Sequence, residues 1–298
     1  KDSTRGNQAT NDMGNKTSGS GKIFLDADNK WGSGLLSDRA SVGVDAQFGA
    51  AMTWDFFKTK FGRSGLRNDG VGATSRVHYG RAYNNAYWSD SCFCMTYGDG
   101  DGTTFNPFAS LDVAGHEMSH GLTAMTAKLV YSGESGGLNE ANSDIFGTMV
   151  EYYANNAKDT PDYLIGEQLY KSGGGKALRY MYNPILDGRS PSCYSSTIGS
   201  LDVHYSSGVA NHFFYLLAEG SAPVGLPASP TCNNSSVTGI GRDAASAIWY
   251  RALTVYMTSS TGYAAARTAT LSAASDLYGS ASAQYLAVAA AWSAVGVN

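Results

Sequence analysis

From residue 111 onward the apolar positions fall into helical spacing. In "LDVAGHEMSHGLTAMTAKLVY" (111–131) they recur at 111, 113, 114, 118, 122, 125 and 129, close to the i, i+3, i+4, i+7 stripe of an amphipathic helix. Ser110 stands where an N-cap belongs, and Asp112 falls in the first turn, where the helix dipole favours an acid. "LNEANSDIFGTMVEYYANNA" (138–157) repeats the pattern, with apolar residues at 138, 141, 145, 146, 149, 150, 152 and 153. Four more helices are predicted, at 208–220, 242–257, 262–279 and 280–296. The first part of the chain reads differently. Residues 1–40 are polar and rich in Gly, Asn and Ser, with a short β-like run in "KIFLD". A long helix with an aromatic face follows at 42–61, then short strands in "RVHYG" (76–80) and "AYW" (86–88), and a turn signal in "YGDGDG" (97–102). The pattern predicts an α+β protein. Its N-terminal domain (1–134) is mixed and β-rich and ends with the 111–131 helix; its C-terminal domain (135–298) is mainly helical. No repeat and no Pro/Ser-rich linker separates them.

Composition narrows the class. The apolar share of 43% is ample for a large core, while charged residues make up only 15%, below the usual quarter or so. A net charge of −4 without a basic cluster gives no electrostatic footprint for nucleic acid or an anionic membrane. No apolar run approaches the roughly 20 residues that span a bilayer. The chain starts at Lys1 with no signal-peptide pattern, which reads as a mature product whose leader segments have been removed.

Four cysteines, Cys92, Cys94, Cys193 and Cys232, lack C-x-x-C spacing and suit an oxidising compartment. Three connectivities are open. Cys193–Cys232 is the preferred pair. In an extended strand, Cys92 and Cys94 would lie about 6.6 Å apart at Cα, so they bond only if the chain turns between them.

The chemistry starts at "HEMSH" (116–120). On a helix, His116 and His120 project from one face a turn apart and can share one metal ion. Glu117, one residue on, can lean over the same site as a general base. A catalytic zinc needs a third protein ligand and an open position. The slot for a third histidine in H-E-x-x-H-x-x-G-x-x-H is Thr126, so that solution is excluded. The next predicted helix offers Glu140 as third ligand. Asp144, one turn further, can accept from a ligating imidazole. Acids in so apolar a helix are poorly explained as a solvated face. His78 and His212 read as structural.

Several runs together resemble the thermolysin family of neutral metalloproteases, the gluzincins that pair H-E-x-x-H with a downstream glutamate. They are "YNNAYW" (83–88), "YGDGDG", "DVAGHEMSHGLT" (112–123), "GGLNEANSDIFGTMVEYYAN" (136–155), "DVHYSSGVANHFFYLLAEG" (202–220) and "TGIGRDAASAIWYRALT" (238–254). "ALRYM" and "DVHYSSG" look closer to the pseudolysin branch. The resemblance implies a two-domain thermolysin-like fold with the active-site cleft between the domains. It implies a secreted monomeric endopeptidase acting on proteins and peptides, with one catalytic zinc and a removed pro-segment as folding partner. It also implies Tyr131 and His204 as oxyanion donors, with Asp202 orienting His204. Asn85 and the Ala86 backbone would hold the substrate main chain, and Arg179 a substrate carbonyl beyond the cut. Val113, Ile165 and Leu178 would line an apolar pocket that favours cleavage before bulky hydrophobic residues.

By the same resemblance Asp112, Glu151, Asp162, Glu167 and the Leu164 carbonyl are calcium ligands. Leu164 stands where thermolysin carries an acid, so one ion is expected in place of a pair. Lys30 in the calcium-like loop "DADNK" (26–30) argues against a second site, and 170–178 lacks the acid of another. Two other classes remain in view. A zinc aminopeptidase would need a grip on the substrate amino terminus, often G-x-M-E-N, which is absent. A zinc-stabilised binding module would have no use for Glu117 and His204.

Overall fold

The computed structural model describes all 298 residues. In chain order its strands and helices are β1 (Ala9–Asp12), β2 (Lys22–Ile23), α1 (Arg39–Phe61), β3 (Thr74–Val77), β4 (Ala86–Ser89), β5 (Cys94–Tyr97), α2 (Leu111–Met125), α3 (Gly133–Ala154), β6 (Leu164–Ile165), β7 (Arg179–Tyr180), α4 (Val203–Ser206), α5 (Gly208–Glu219), α6 (Arg242–Arg251), α7 (Tyr263–Tyr278) and α8 (Ala283–Ala294). Contacts divide the chain into two compact units, Lys1–Leu122 with Phe146–Leu178, and Thr123–Ile145 with Arg179–Asn298. Neither is a single stretch of chain, and α3 runs through both.

The first unit carries a five-stranded mixed sheet in the order β2-β1-β3-β5-β4. β1, β3 and β5 are parallel, and β4 runs antiparallel along the outer edge with Ala86 opposite Tyr97. β2 is only two residues of "KIFLD"; the next residue, Phe24, still donates its N–H to Thr10 of β1 and sets its ring against Gly43 of α1. Asp38 caps α1 through Ala40 N. The aromatic face expected of that helix is buried: Phe57 meets Phe146 at 5.1 Å between ring centroids and Phe56 meets it at 6.2 Å. The first of these is edge-on and the second tilted, and such aromatic contacts add to area burial.

α2 and α3 approach at glycines. A methyl group on Gly115 would lie 2.9 Å from Gly147 Cα, and one on Gly147 would lie 2.5 Å from Asp112 O. The crossing is closer than any residue with a side chain permits. Ser110 precedes α2, its carbonyl accepting from Ala114 N, while its hydroxyl donates to Asp112.

In the second unit α5 is buried almost throughout. Phe213 stacks on Trp292 of α8 at 3.8 Å. Trp249 donates its indole N–H to Asn142 at 2.9 Å, and Trp292 donates to Thr270 at 2.8 Å, so each buried tryptophan has the partner its polar edge requires. Glu134 ties the start of α3 to α7, accepting from Tyr263 N and the Tyr194 hydroxyl. α6 ends earlier than its periodicity implied, passing into a wider π turn at Ala252–Tyr256.

The preferred disulfide forms, and so does the one left conditional on a turn. Cys193–Cys232 spans 5.9 Å between Cα atoms and Cys92–Cys94 spans 5.2 Å. The shorter pair meets the turn condition because Phe93 takes φ +49°. No helix is long and apolar enough to cross a membrane.

Candidate active site

His116 and His120 lie on consecutive turns of α2, and their Nε2 atoms are 3.1 Å apart with the rings nearly perpendicular. Glu140 is fully buried on α3, and the ligand atoms of the three residues lie within 4.8 Å of one another. Two imidazole nitrogens on a tetrahedral ion, each about 2.05 Å from it, would be about 3.3 Å apart. The separation observed and the two-nitrogen, one-oxygen donor set therefore fit one small divalent cation. Glu117, beside His116, is buried. Tyr97 is buried too, and burial, with the charge of Glu117 adding to it, raises its hydroxyl well above the usual tyrosine range.

A second line of groups leads up to Glu140. Asp202 caps α4, accepting from His204 N at 2.9 Å and from His204 Nδ1 at 2.8 Å. Those bonds, the backbone one foremost, lower the Asp202 pKa and so favour its ionised form. His204 Nε2 lies 3.3 Å from the Tyr131 hydroxyl and 3.6 Å from Glu140 Oε1. The Tyr131 hydroxyl donates to Glu140 Oε1. Tyr131 and the His204 side chain are each about half exposed, so a molecule from solvent can reach them.

Asp144, one turn beyond Glu140, faces a guanidinium. Arg179 donates from Nε to Asp144 Oδ2 and from Nη2 to Oδ1, both at 2.7 Å, and Asn211 donates to Oδ2 at 2.7 Å. Burial alone would lower the Arg179 pKa. The charge of Asp144 and its hydrogen bonds outweigh that and raise it. Neither the Arg179–Asp144 fork nor Asn211 was legible in the sequence, since three separate elements meet there.

Asn85 is exposed and Ala86 begins the edge strand β4. The outer side of that strand offers backbone groups to an extended peptide. Val113 and Ile165 are buried, and Leu178 donates its N–H to the Ile165 carbonyl at 2.8 Å.

A separate acidic cluster lies in the first unit. Glu151, Asp159 and Glu167 present carboxylate oxygens within 4.8 Å of one another. Asp159 did not stand out in the sequence; the loop after α3 brings it back. Both oxygens of Glu151, Oδ1 of Asp159 and Oε2 of Glu167 are buried without a hydrogen-bond donor. Asp112 adds charge nearby but is already engaged by Ser110 and by Gly166 N. Asp162 accepts from Leu164 N. Burial, and then neighbouring charges led by Asp112, push Glu151 up to about 11, Glu167 to about 10 and Asp159 to about 6. Buried anionic oxygens without donors are costly, and they are the oxygen set a hard cation accepts.

The family profile described as the thermolysin metallopeptidase catalytic domain matches residues 1–124, and that of the alpha-helical domain matches 127–297. The chain is 54% identical over 301 residues to a transglutaminase-activating metalloprotease of Streptomyces mobaraensis, covering all of this chain and 39% of that protein. It is 43% identical over 304 residues to a thermolysin of Alicyclobacillus acidocaldarius, covering all of this chain and 52% of that protein. The chain thus spans about half the length, or less, of these curated relatives. The solved precursor of protealysin from Serratia proteamaculans superposes with a TM-score of 0.77 at 31% identity, over 98% of this chain and 87% of that one.

Proposed function

The chain belongs to the thermolysin family of metallopeptidases, and from that premise we propose that it is a secreted zinc endopeptidase cleaving proteins before bulky hydrophobic residues. The observation that carries this is the convergence of His116, His120 and Glu140 beside Tyr131 and His204. Zinc held by those three would act as a Lewis acid, polarising the scissile carbonyl and acidifying a water. Glu117 takes the proton of that water and hands it to the leaving amine. Tyr131 and His204 donate to the oxyanion; Asp202, bonded to His204 Nδ1, holds the ring so that Nε2 faces the site. Asn85 and the β4 backbone at Ala86 align the substrate as an added strand. Arg179 holds a substrate carbonyl, with Asp144 behind it. Val113, Ile165 and Leu178 form the pocket that selects the residue after the cut. Two disulfides support an extracellular setting, and the protealysin precursor supports folding with a pro-segment.

A peptide digest read by mass spectrometry tests this. Leu, Phe, Ile and Val are expected immediately after most cuts; a preference for charged residues there would refute the pocket assignment. Cleavage of an N-blocked peptide distinguishes this reading from an aminopeptidase. Loss of casein hydrolysis on chelation, restored by zinc, distinguishes it from a binding module.

The acidic cluster is assigned one structural calcium, held by Glu151, Asp159 and Glu167 with help from Asp112, Asp162 and the Leu164 carbonyl. Without a cation, carboxyls with raised folded pKa values stabilise the fold fully only below their unfolded values near 4 to 4.5. That contribution is lost as pH climbs through about 6 for Asp159 and about 10 to 11 for Glu167 and Glu151. Calcium should therefore raise the melting temperature more at pH 8 than at pH 5, by about 5–10 °C at a hundredfold excess over Kd. Equal shifts at the two pH values would remove calcium from this cluster, and metal analysis giving three or four calcium per zinc would overturn the single site.

A further inference from the structure

Tyr83, Asn84 and Asn85 come just before β4, outside its paired register. The chain there rests on the loop that follows β5. Gly98 N donates to Asn85 O at 3.0 Å, and Gly100 N donates to Tyr83 O at 3.2 Å. A methyl group on Gly98 would lie 2.0 Å from Tyr83 O, so the two segments meet backbone to backbone. Where Asn85 sits therefore depends on the shape of that loop.

Asp101 sets the shape. Gly100 and Gly102, on either side of it, both take φ +70°. Glycine enters that region about as readily as any other, so the backbone there has no preference of its own. Asp101 Oδ1 accepts from the N–H groups of Thr103, Thr104 and Phe105 at 2.8, 2.6 and 3.1 Å. Those bonds, that of Phe105 foremost, lower the Asp101 pKa and keep the group charged. Its other oxygen, Oδ2, accepts from Asn84 Nδ2 at 3.0 Å. An ionised carboxylate has no donor, so the Asn84 amide must offer its nitrogen. One side chain thus shapes the loop with one oxygen and holds the residue before Asn85 with the other. Asn84 is exposed, and a single hydrogen bond within reach of water adds only modestly to stability. What the contact supplies is a fixed position.

We infer that Asn84 and Asp101 are positioning residues, which together hold Asn85 where it binds the substrate main chain. This rests on the proposed reading of Asn85 as a substrate-binding group. The test is kcat and KM on a single-site N-blocked peptide for the parent chain, Asn84→Ala, Asn84→Asp and the exchange Asn84→Asp with Asp101→Asn. Asn85→Ala is measured alone and combined with Asn84→Asp. Zinc content and melting temperature are read for each.

Loss of a ground-state contact raises KM with kcat little changed. Asn84→Ala removes one hydrogen bond and should raise KM about threefold. Asn84→Asp sets two carboxylates against each other and should raise it about tenfold. In the exchange, donor and acceptor change places while an oxygen still serves the three N–H groups, so KM should return to within about twofold of the parent. In the Asn85→Ala background, Asn84→Asp should alter KM less than about twofold, because the positioned group is already lost. Every variant should keep its zinc and melt within a few degrees of the parent. An exchange no better than Asn84→Asp, an equal KM rise with and without Asn85, an unchanged KM in both Asn84 variants, or loss of zinc with a fall in kcat alone would overturn the inference. If Asn85→Ala by itself leaves KM unchanged, it is the reading of Asn85 that fails, and this inference fails with it.

Discussion

Glu117→Ala should yield a protein that folds, retains one zinc and hydrolyses peptides at least about a thousandfold more slowly than the parent chain. General-base catalysis contributes about a hundred- to ten-thousandfold, and in the mechanism proposed above one carboxylate serves both proton transfers, so the upper part of that range is expected. The metal should stay, because His116, His120 and Glu140 supply three donors without it. Glu117 is buried on α2 next to His116, and its truncation leaves a small cavity in a helix fixed by the Gly115–Gly147 crossing. The measurements are single-turnover rate, zinc content and melting temperature on one preparation. Activity within tenfold of the parent would remove Glu117 from the proton path. Loss of zinc would show that it ligates.

Asp144→Ala is expected to have the largest effect on stability. Asp144 is inaccessible to solvent and the Arg179 side chain is 11% exposed, so the substitution leaves a buried guanidinium without its counter-charge. Breaking a buried pair from one side costs about 3–5 kcal/mol, which for a chain of this size is a fall of about 6–20 °C in melting temperature. Replacing both partners with apolar residues should recover part of it, since the orphaned charge goes with them. A double variant no more stable than Asp144→Ala would mean that the pair does not carry the cost. Activity should fall in either case through Arg179.

Much of this was readable from local pattern. The helices came from 3.6-residue periodicity, and the metal-ligand candidates from a four-residue spacing plus an acid on the next helix. Where the reading fell short, tertiary contacts had overridden local preference. α3 starts at Gly133 in place of Leu138, because "GESGG" looks like a loop until its surroundings are known. A methyl on Gly136 would lie 2.5 Å from Val203, and one on Gly137 would lie 2.5 Å from Ser206, so those glycines are there for close packing. Asp159 and Asn211 carry no local signature. Their roles exist only once a returning loop, or a helix more than sixty residues along the chain, reaches an acid on α3.

That same helix decides how the molecule could be taken apart. Gly133–Ile145 belongs to one compact unit and Phe146–Ala154 to the other, so no single scission yields two self-sufficient pieces. A gene split in the connection between Met125 and Gly133 would give one fragment with a sheet but no second half to its core, and another with a helix end that has nothing to bury against. Expressed alone, each should be insoluble or molten; co-expressed, they should reassemble, with protease activity as the reporter of their reunion.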